Sequence, residues 1–306
     1  MNGICAGRVA VVTGAGRGLG RTHALALAAE GAAVVVNDLG TGPGGEGGSA
    51  DPAHRVAAEI RDRGGRAVAH TGDIATAEGA ASLITTALDA FGRLDALVNN
   101  AGFVRDRMLV NLDQEDWDAV IRVHLRGHFL PLRQAAAYWR AEAKAGRTPD
   151  ARVVNTTSGA GLSGSVGQAN YAAAKAGIVG LTLVAAAELA RYGVQVNAIA
   201  PAARTRMTEQ VFAGSMAAPP DGTFDAMAPE NVSPLVVWLC AAGSAGVTGQ
   251  VLEADGGRIA VMEGWHPGPI SDKGDRWTPA EAGAEVRRLL AGARAARPVY
   301  GAGGAP

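Results

Sequence analysis

The stretch Arg8–Gly20 (RVAVVTGAGRGLG) decides the fold of this 306-residue chain. Its apolar first half predicts a β-strand, its glycines permit a tight turn, and a helical pattern follows. A strand, a glycine turn and a helix in this order form the opening unit of a dinucleotide-binding sheet, because backbone amides at the helix N-terminus can approach a pyrophosphate. We expect Gly14, Gly18 and Gly20 to form that turn.

Apolar runs of strand length alternate with helical patterns along most of the chain. The predicted strands are Arg8–Thr13, Ala33–Asn37, Ala67–His70, Ala96–Asn99, Arg152–Thr156, Val194–Ile199 and Gln250–Glu253. The predicted helices lie near Gly20–Glu30, Ala53–Arg63, Glu78–Phe91, Gln114–Trp139, Ala169–Arg191 and Pro229–Ala241. Because parallel strands need crossover connections, this alternation predicts an α/β fold, a single doubly wound parallel sheet of Rossmann type with helices on both faces.

The domain organisation follows from where this alternation stops. We expect residues 1–257 to form a dinucleotide-binding catalytic domain, interrupted after the second strand by the Gly-rich loop Gly40–Ser49. We expect residues 258–306 to form a C-terminal extension that packs on the same domain or on a neighbouring subunit. Within the extension, Thr278 is a suitable N-cap for a helix, and Pro279 suits the first helical position.

Composition and charge argue against several classes of function. The net charge of −1 and the aromatic content of 5% give neither an electrostatic footprint nor a stacking surface for nucleic acid. Cys5 and Cys240 lie far apart without metal-ligand spacing, so we expect reduced thiols and no metal site. The apolar stretch 172–190 contains Lys175 and Glu188, which favour a helix of a soluble protein over a membrane span. Without a signal-peptide pattern, we expect a cytoplasmic protein.

Two acidic residues at strand ends are candidate cofactor ligands. Asp38 ends the second strand, where a carboxylate can accept both adenine-ribose hydroxyls and repel a 2′-phosphate, which favours NAD over NADP. Arg17 in the glycine turn favours NADP, because its guanidinium could reach a 2′-phosphate. The repulsion of that phosphate by a fixed carboxylate at Asp38 outweighs the attraction of a flexible arginine. Asp73, after the third strand, either meets the adenine amino group or serves as a turn or N-cap aspartate. At 99–102, NNAG suits a backbone close to a cofactor, with Asn amides bracing neighbouring loops.

Tyr171 and Lys175 are four residues apart, so one helix face presents both. Oxidising an alcohol by hydride transfer requires the hydroxyl proton to leave, and a phenol with a pKa near 10 is a poor base at neutral pH. A cation about 4 Å away favours the phenolate by roughly 4 kcal/mol at an effective dielectric near 20, before desolvation opposes it. We therefore expect Lys175 to lower the pKa of Tyr171, and Ser158 to hydrogen-bond the substrate oxygen.

TGAGRGLG (13–20), NNAG (99–102), Ser158 and YAAAK (171–175), in this order and spacing, resemble the short-chain dehydrogenase/reductase family. The resemblance covers most of the predicted catalytic domain. It implies that Ser158, Tyr171 and Lys175 are catalytic, that Tyr171 donates or accepts the proton, and that Lys175 also binds the nicotinamide ribose. It further implies that 201–205 lie along the nicotinamide. The cofactor-binding residues it predicts are Gly14, Arg17, Gly18, Leu19, Gly20, Asp38, Asp73, Ile74, Asn100, Ala101, Gly102, Tyr171, Lys175, Pro201 and Thr205.

Two positions depart from the family pattern. His124, in VHLRG, stands where the family usually has a fourth catalytic residue, an asparagine that supports a helix kink; a histidine could still hold a proton-relay water. Ala202 replaces the glycine of the usual Pro-Gly. His124 and other segments are similar to one subgroup, the (3R)-hydroxyacyl-CoA dehydrogenase part of multifunctional enzyme type 2, also called 17β-hydroxysteroid dehydrogenase type 4. These segments are NDLG (37–40), RDRM (105–108), RVHLRG (122–127), GQANYAAAKAG (167–177), RMT (206–208) and PLVVWLC (234–240).

The resemblance implies reversible NAD-dependent oxidation of a secondary alcohol, either a 3-hydroxyacyl-CoA or a hydroxysteroid. The alternatives are an NADPH-dependent ketoreductase and a cofactor-binding regulator without turnover. The segment 205–225 is predicted to be a lid over the substrate. Arg204 or Arg206 could meet the phosphates of a CoA substrate.

The helices predicted at Gln114–Trp139 and Ala169–Arg191 flank the active site. The second is apolar or small on most of its circumference, and one face packs on the sheet. The remaining apolar surface predicts a symmetric contact with a second copy, giving a homodimer or homotetramer.

Overall fold

A computed structural model describes residues 3–42, 44–205, 219–220, 222–295 and 297–301 of the chain. Its strands form one sheet in the order β3-β2-β1-β4-β5-β6-β7-β8. All neighbouring strands are parallel except β7 and β8. The strands are β1 Val9–Thr13, β2 Ala33–Asn37, β3 Arg66–His70, β4 Ala96–Asn99, β5 Ala151–Thr156, β6 Val194–Ala202, β7 Val251–Asp255 and β8 Arg258–Val261.

The helices connect these strands and cover both faces of the sheet. The α-helices are α1 Gly18–Ala29, α2 Asp51–Asp62, α3 Ala77–Phe91, α4 Gln114–Ile121, α5 Gly127–Lys144, α6 Gly159–Ser163, α7 Ala169–Leu189, α8 Ser233–Cys240 and α9 Pro279–Ala291. A π-helical segment, Arg122–Arg126, joins α4 to α5. Short 3₁₀ turns lie at Leu109–Asn111, Ala190–Tyr192, Pro229–Asn231 and Ala242–Ser244.

Alternation along each strand divides the core into two layers. In β1, Ala10 and Val12 point to the layer that holds α1, α2 and α8, whereas Val9 and Val11 point to the layer of α3, α5 and α7. Successive side chains of a strand point to opposite faces of the sheet. Because helices cover both faces of this parallel sheet, both sets of side chains are buried, and the strands are continuous apolar runs in the sequence. The doubly wound sheet predicted from the sequence is confirmed.

The structure differs from the prediction mainly at element ends and at the far edge of the sheet. The sixth strand continues three residues further than predicted, to Ala202. The helix predicted over Gln114–Trp139 extends to Lys144 and contains the π-helical segment. β8 was not predicted, and it pairs antiparallel with β7, so the first residues of the proposed extension join the main sheet. The predicted helix cap at Thr278 is confirmed: its side chain accepts a hydrogen bond from the Glu281 amide.

The segment formed by α7 and the turn that ends at Tyr192 is long and apolar enough, by length and composition alone, to cross a membrane. Its inward face packs on the sheet and on α6, and Lys175 and Thr182 are buried there. A third of the apolar window is buried within the chain. The outward face carries Leu183 and Val184, which are half exposed.

Candidate active site

Two adjoining cavities lie beyond the carboxyl ends of the parallel strands, where a doubly wound sheet binds its ligands. The first is lined by twelve of the fifteen predicted cofactor residues: Gly14, Arg17, Gly18, Leu19, Gly20, Asp38, Asp73, Ile74, Asn100, Ala101, Gly102 and Thr205. The second is lined by the other three, Pro201, Tyr171 and Lys175, together with Ser158 and His124. The fold therefore brings the residues predicted from separate motifs to one edge of the sheet.

Two positions of the glycine turn have backbone contacts that only glycine allows. Gly14 has φ +64, and a Cβ there would lie 2.7 Å from the Cα of Ala101. A Cβ on Gly20 would lie 2.2 Å from the Gly14 carbonyl oxygen. Side chains at these positions would clash with the protein backbone, so only glycine allows the turn to pack this closely at the start of α1, where Gly14, Gly18 and Gly20 line the first cavity. This close approach suits the pyrophosphate of a dinucleotide.

Asp38 lies at the end of β2 and lines the first cavity. One of its carboxylate oxygens accepts a hydrogen bond from the Gly16 amide at 2.8 Å, and the other accepts from the Gly40 amide at 2.6 Å. These bonds hold the carboxylate in place, and each oxygen retains a lone pair for a ribose hydroxyl. The carboxylate thus also joins the glycine turn to the start of the Gly-rich loop.

Arg17 and Asp73 are both held by protein partners. The Arg17 guanidinium donates to the Thr41 carbonyl oxygen at 3.1 Å, which draws it toward the Gly-rich loop. Asp73 accepts a hydrogen bond from the Ala75 amide at 2.9 Å and forms an ion pair with Arg122. Of the two interpretations of Asp73 from the sequence, the structure supports a turn aspartate, although the residue also lines the cavity.

The Asn pair of NNAG braces neighbouring strands, as predicted. Asn99 donates to the Asn155 side-chain oxygen at 3.0 Å across β4 and β5. Asn100 donates to the Thr13 carbonyl oxygen at 3.1 Å, at the start of the glycine turn. The Asn100 backbone amide also donates to the Thr13 hydroxyl oxygen, at 2.9 Å. These bonds hold the glycine turn after β1 against the end of β4, where the two cavities adjoin.

Ser158, Tyr171 and Lys175 lie together in the second cavity. Ser158 ends the segment after β5 and caps α6, accepting from the Ala160 amide at 3.2 Å. The Lys175 Nζ lies 5.4 Å from the centre of the Tyr171 ring and donates to the Thr156 carbonyl oxygen at 2.7 Å. One turn of α7 therefore presents the phenol and the ammonium to the strand end that carries the serine.

Burial controls the protonation of this pair. It raises the pKa of the Tyr171 phenol, with a hydrogen bond from Ser158 opposing the shift and the charge of Asp106 adding to it. Burial lowers the pKa of Lys175 from its ordinary 10.5 to about 7. The expectation that Lys175 lowers the pKa of Tyr171 is wrong for this structure, because desolvation outweighs a cation directed at the Thr156 carbonyl.

His124 occupies the π-helical segment and is buried. Its Nε2 lies 2.6 Å from the Phe103 carbonyl oxygen and 3.1 Å from the Phe103 nitrogen. The shorter contact assigns the proton to Nε2, so that Nδ1 is an acceptor, and it has no partner among the described residues. Burial and the charge of Lys175 hold the pKa of His124 well below its ordinary value, so the ring is neutral.

The helix kink that the asparagine usually supports is present here, although this chain has a histidine at that position. The five residues Arg122–Arg126 are π-helical, a form that occurs mostly as a local bulge in an α-helix. Gly102 makes room for the imidazole, since a Cβ there would lie 2.1 Å from its Cε1. A histidine thus occupies the kink together with a glycine on the facing strand end.

Residues after β6 reach both cavities. Pro201 and Ala202 line the second cavity, and Thr205 lines both, as expected for a segment along the nicotinamide. Arg204 forms an ion pair with Asp225, so its guanidinium already has a carboxylate partner. Arg206 and most of the predicted lid at 205–225 lie outside the described residues.

Several residues of the second cavity were not predicted from the sequence. They are Val104, Thr156, Thr157, Gly159, Ala160, Ser165, Gln168, Ala200, Glu253 and Tyr300. Most are small residues near the ends of β5 and β6, or in α6 and the loop after it, where no predicted motif falls. Gln168 and Ser165 precede α7 closely enough to have been considered with the Tyr171 motif. Tyr300 belongs to the C-terminal extension, and no local pattern connects it with the site.

A glycine cradle at the start of α1, joined to a cavity with a serine, a tyrosine and a lysine, defines an NAD(P)-dependent oxidoreductase. Residues 8–215 match the family model described as short chain dehydrogenase. The chain belongs to this family.

The relatives refine the relationship. The hydroxyacyl-CoA dehydrogenase ChsB1 of Mycobacterium tuberculosis is 48% identical over 292 residues, 94% of this chain and 89% of that protein. Peroxisomal multifunctional enzyme type 2 of Mus musculus is 44% identical over 259 residues, 85% of this chain and 32% of that enzyme. A crystal structure of a short chain dehydrogenase from Mycobacterium avium is 60% identical, with a TM-score of 0.88, and covers 98% of this chain and 100% of that one. The predicted relationship to the dehydrogenase part of multifunctional enzyme type 2 is confirmed.

Proposed function

We propose that this chain is an NAD-dependent dehydrogenase that reversibly oxidises the secondary alcohol of a 3-hydroxyacyl-CoA to the ketone. The observation that carries the proposal is the meeting of Ser158, Tyr171 and Lys175 in a cavity that adjoins the glycine cradle. The choice of a hydroxyacyl-CoA rests on the relatives, among them a hydroxyacyl-CoA dehydrogenase that is 48% identical.

The protein residues manage the proton of the alcohol. In the oxidising direction the Ser158 hydroxyl hydrogen-bonds the substrate oxygen, and the deprotonated Tyr171 phenol takes the hydroxyl proton. Lys175 lies beside the Tyr171 ring and would hold the nicotinamide ribose. When bound, an oxidised nicotinamide would supply the hydride acceptor and a positive charge that favours the deprotonated phenol.

His124 supports this arrangement as a positioning residue. Its imidazole joins the π-helical segment to the Phe103 peptide, so it holds the backbone between the two cavities. Its Nδ1, which has no partner in the part of the chain that the structure describes, is an acceptor for the proton-relay water that the sequence suggested. A neutral ring can hold such a water without titrating in the working range.

The preference for NAD over NADP rests on Asp38. Two backbone amides fix its carboxylate in the first cavity, where it repels the 2′-phosphate of NADP. Arg17 is directed to the Thr41 carbonyl oxygen, which reduces its reach toward that phosphate.

We further propose that the enzyme is a cytoplasmic homodimer or homotetramer. Cys5 and Cys240 are buried free thiols, as suits a reducing compartment. On the outer face of α7, Leu183 and Val184 are 50% and 57% exposed, and Gly180 faces open space. A second copy packed against this face would remove the apolar surface from water.

The test of the proposed function is an absorbance assay of NADH formation with a generic 3-hydroxyacyl-CoA, with hydroxysteroids and NADP in parallel. We expect turnover with NAD and the acyl-CoA. Turnover with hydroxysteroids alone would contradict the substrate, a preference for NADP would contradict the cofactor, and cofactor binding without turnover of any alcohol would identify a regulator.

A further inference from the structure

The C-terminal extension returns to the second cavity through a short backbone pairing. The Tyr300 amide donates to the Gly164 carbonyl oxygen at 3.1 Å, and the Val166 amide donates to the Tyr300 carbonyl oxygen at 2.9 Å. These bonds make a parallel β-bridge between Ser165 and Tyr300. The end of the chain is thereby held against the loop that connects α6 to α7, which lies between Ser158 and Tyr171.

The Tyr300 ring lies directly over Gly159, the residue after Ser158. A Cβ on Gly159 would come within 2.8 Å of the Tyr300 hydroxyl and 2.9 Å of its ring carbon Cε2. The absence of a side chain at Gly159 therefore creates the seat for the ring. Tyr300 also lines the second cavity, and it is 44% exposed, so part of the ring faces open space.

We propose that Tyr300 is a specificity-determining residue, and that its ring forms a wall of the substrate cavity that contacts the carbon chain of the substrate beyond the reacting alcohol. This proposal rests on the proposed function. Ser158 positions the substrate oxygen, and the ring stands one residue away, over Gly159. Val104 and Ala160 line the same cavity and are apolar, so the cavity suits an acyl chain.

A tyrosine ring also has the stiffness needed for such a wall. It presents a large apolar surface with few rotatable bonds, and its backbone is anchored by the bridge on both its amide and its carbonyl. Removing it would widen the cavity on one side. We expect Y300A to shift selectivity toward longer chains and to leave the proton-transferring residues in place.

The first experiment examines docking and needs no substrate. Hydrogen exchange of peptides covering 159–168 is compared between the full chain and a chain that ends at Ala295. The Val166 amide loses its acceptor in the shorter chain, so we expect it to exchange faster. Equal exchange in the two proteins would overturn the proposal.

The second experiment examines selectivity. The ratio of kcat/KM for 3-hydroxydecanoyl-CoA to that for 3-hydroxybutyryl-CoA is measured for the wild type, Y300A and the control W265A, which removes a fully exposed aromatic residue of the same extension. We expect Y300A to raise this ratio of the long to the short substrate about tenfold, as for other single contacts in a substrate pocket, with unchanged affinity for NAD. W265A should match the wild type. An unchanged ratio in Y300A would overturn the proposal.

The variant G159A provides an independent check on the contact between ring and loop. The new methyl group should displace the Tyr300 ring and shift the ratio in the wild-type background but add nothing in the Y300A background. Additive effects would overturn the contact. If the wild type oxidises neither acyl-CoA, the proposed function fails; hydrogen exchange then still decides docking, and the same ratio is measured with a short and a long alcohol that the enzyme does oxidise.

Discussion

His124 packs edge-on against Tyr171, with ring centroids 5.1 Å apart and ring planes at 89°. The π-helical segment sets this contact, because it places the imidazole between the Phe103 peptide and the phenol. A histidine in place of the usual asparagine thus keeps a polar bond to the backbone and also supports the Tyr171 ring.

Two variants of His124 distinguish the effect of its hydrogen bond to Phe103 from any effect of its protonation. His124→Leu leaves the Phe103 carbonyl without its donor, so we expect kcat/KM to fall about tenfold or more, whereas His124→Asn should retain more activity. Because the pKa of His124 is held well below its ordinary value, the pH profile of His124→Asn should keep the wild-type shape between about pH 5 and 8. Loss of an acidic limb in that profile would show that His124 titrates during turnover.

Replacing Tyr171 with Phe should remove the proton transfer and nothing else. General acid–base catalysis contributes about 100-fold to 10,000-fold, so we expect kcat to fall within or beyond that range. The affinity for NAD, measured by fluorescence titration, should stay close to that of the wild type. Tyr192→Phe, in the 3₁₀ turn that follows the same helix, is the matched control and should be fully active. Residual activity above a few per cent would exclude Tyr171 as the acid/base.

Replacing Lys175 should affect activity and the pH dependence of stability. Its pKa is about 7 in the folded chain and 10.5 ordinarily, so between these values the unfolded state binds the extra proton. The free energy of unfolding therefore gains about 1 kcal/mol per pH unit as the pH rises through this window, and the destabilisation is complete below it. Lys175→Met should lose turnover and NAD affinity and also this gain.

Urea unfolding at about pH 7 and about pH 9, at constant protein concentration, measures the pH effect. Lys144→Met removes an exposed lysine and should keep the wild-type pH dependence. A Lys175→Met protein with the same pH dependence as the wild type would mean that the buried ammonium titrates normally.

Replacing Asp38 should change the cofactor preference. Asp38→Asn removes the charge that repels a 2′-phosphate but keeps an acceptor for the amides of Gly16 or Gly40. Because the repulsion of the 2′-phosphate is lost, we expect the ratio of kcat/KM for NAD to that for NADP to fall about tenfold or more, which is equivalent to about 1.4 kcal/mol. Asp51→Asn, on the exposed start of α2, serves as the control. An unchanged ratio would show that residues other than Asp38 recognise the adenine ribose.

A charge on the outer face of α7 should disrupt assembly. Ala187 is exposed on the same helix as Leu183 and Val184, so Ala187→Glu would place a carboxylate in the proposed contact between copies. We expect light scattering to show a multiple of the 30.9 kDa chain mass for the wild type and a smaller assembly for the variant. Arg55→Glu, exposed on α2 at the other face of the sheet, should leave the mass unchanged. A wild-type monomer at micromolar concentration would refute the prediction.

The sequence by itself determined the sheet, the position of the cofactor cradle and the pairing of Tyr171 with Lys175. These features depend on local patterns: apolar runs of strand length, glycines in a turn and a four-residue spacing on one helix. Local patterns also placed the Thr278 cap, because a capping side chain bonds an amide only three residues away.

Only the tertiary structure decided what surrounds those residues. The pKa of Lys175 depends on burial beneath other elements, so helix spacing alone suggested a charged lysine acting on Tyr171 and could not show that the opposing effect of desolvation dominates. The ion pair of Asp73 with Arg122 and the seating of Tyr300 over Gly159 join residues far apart in the chain. Such contacts arise when distant segments pack together, and no pattern within one segment encodes them.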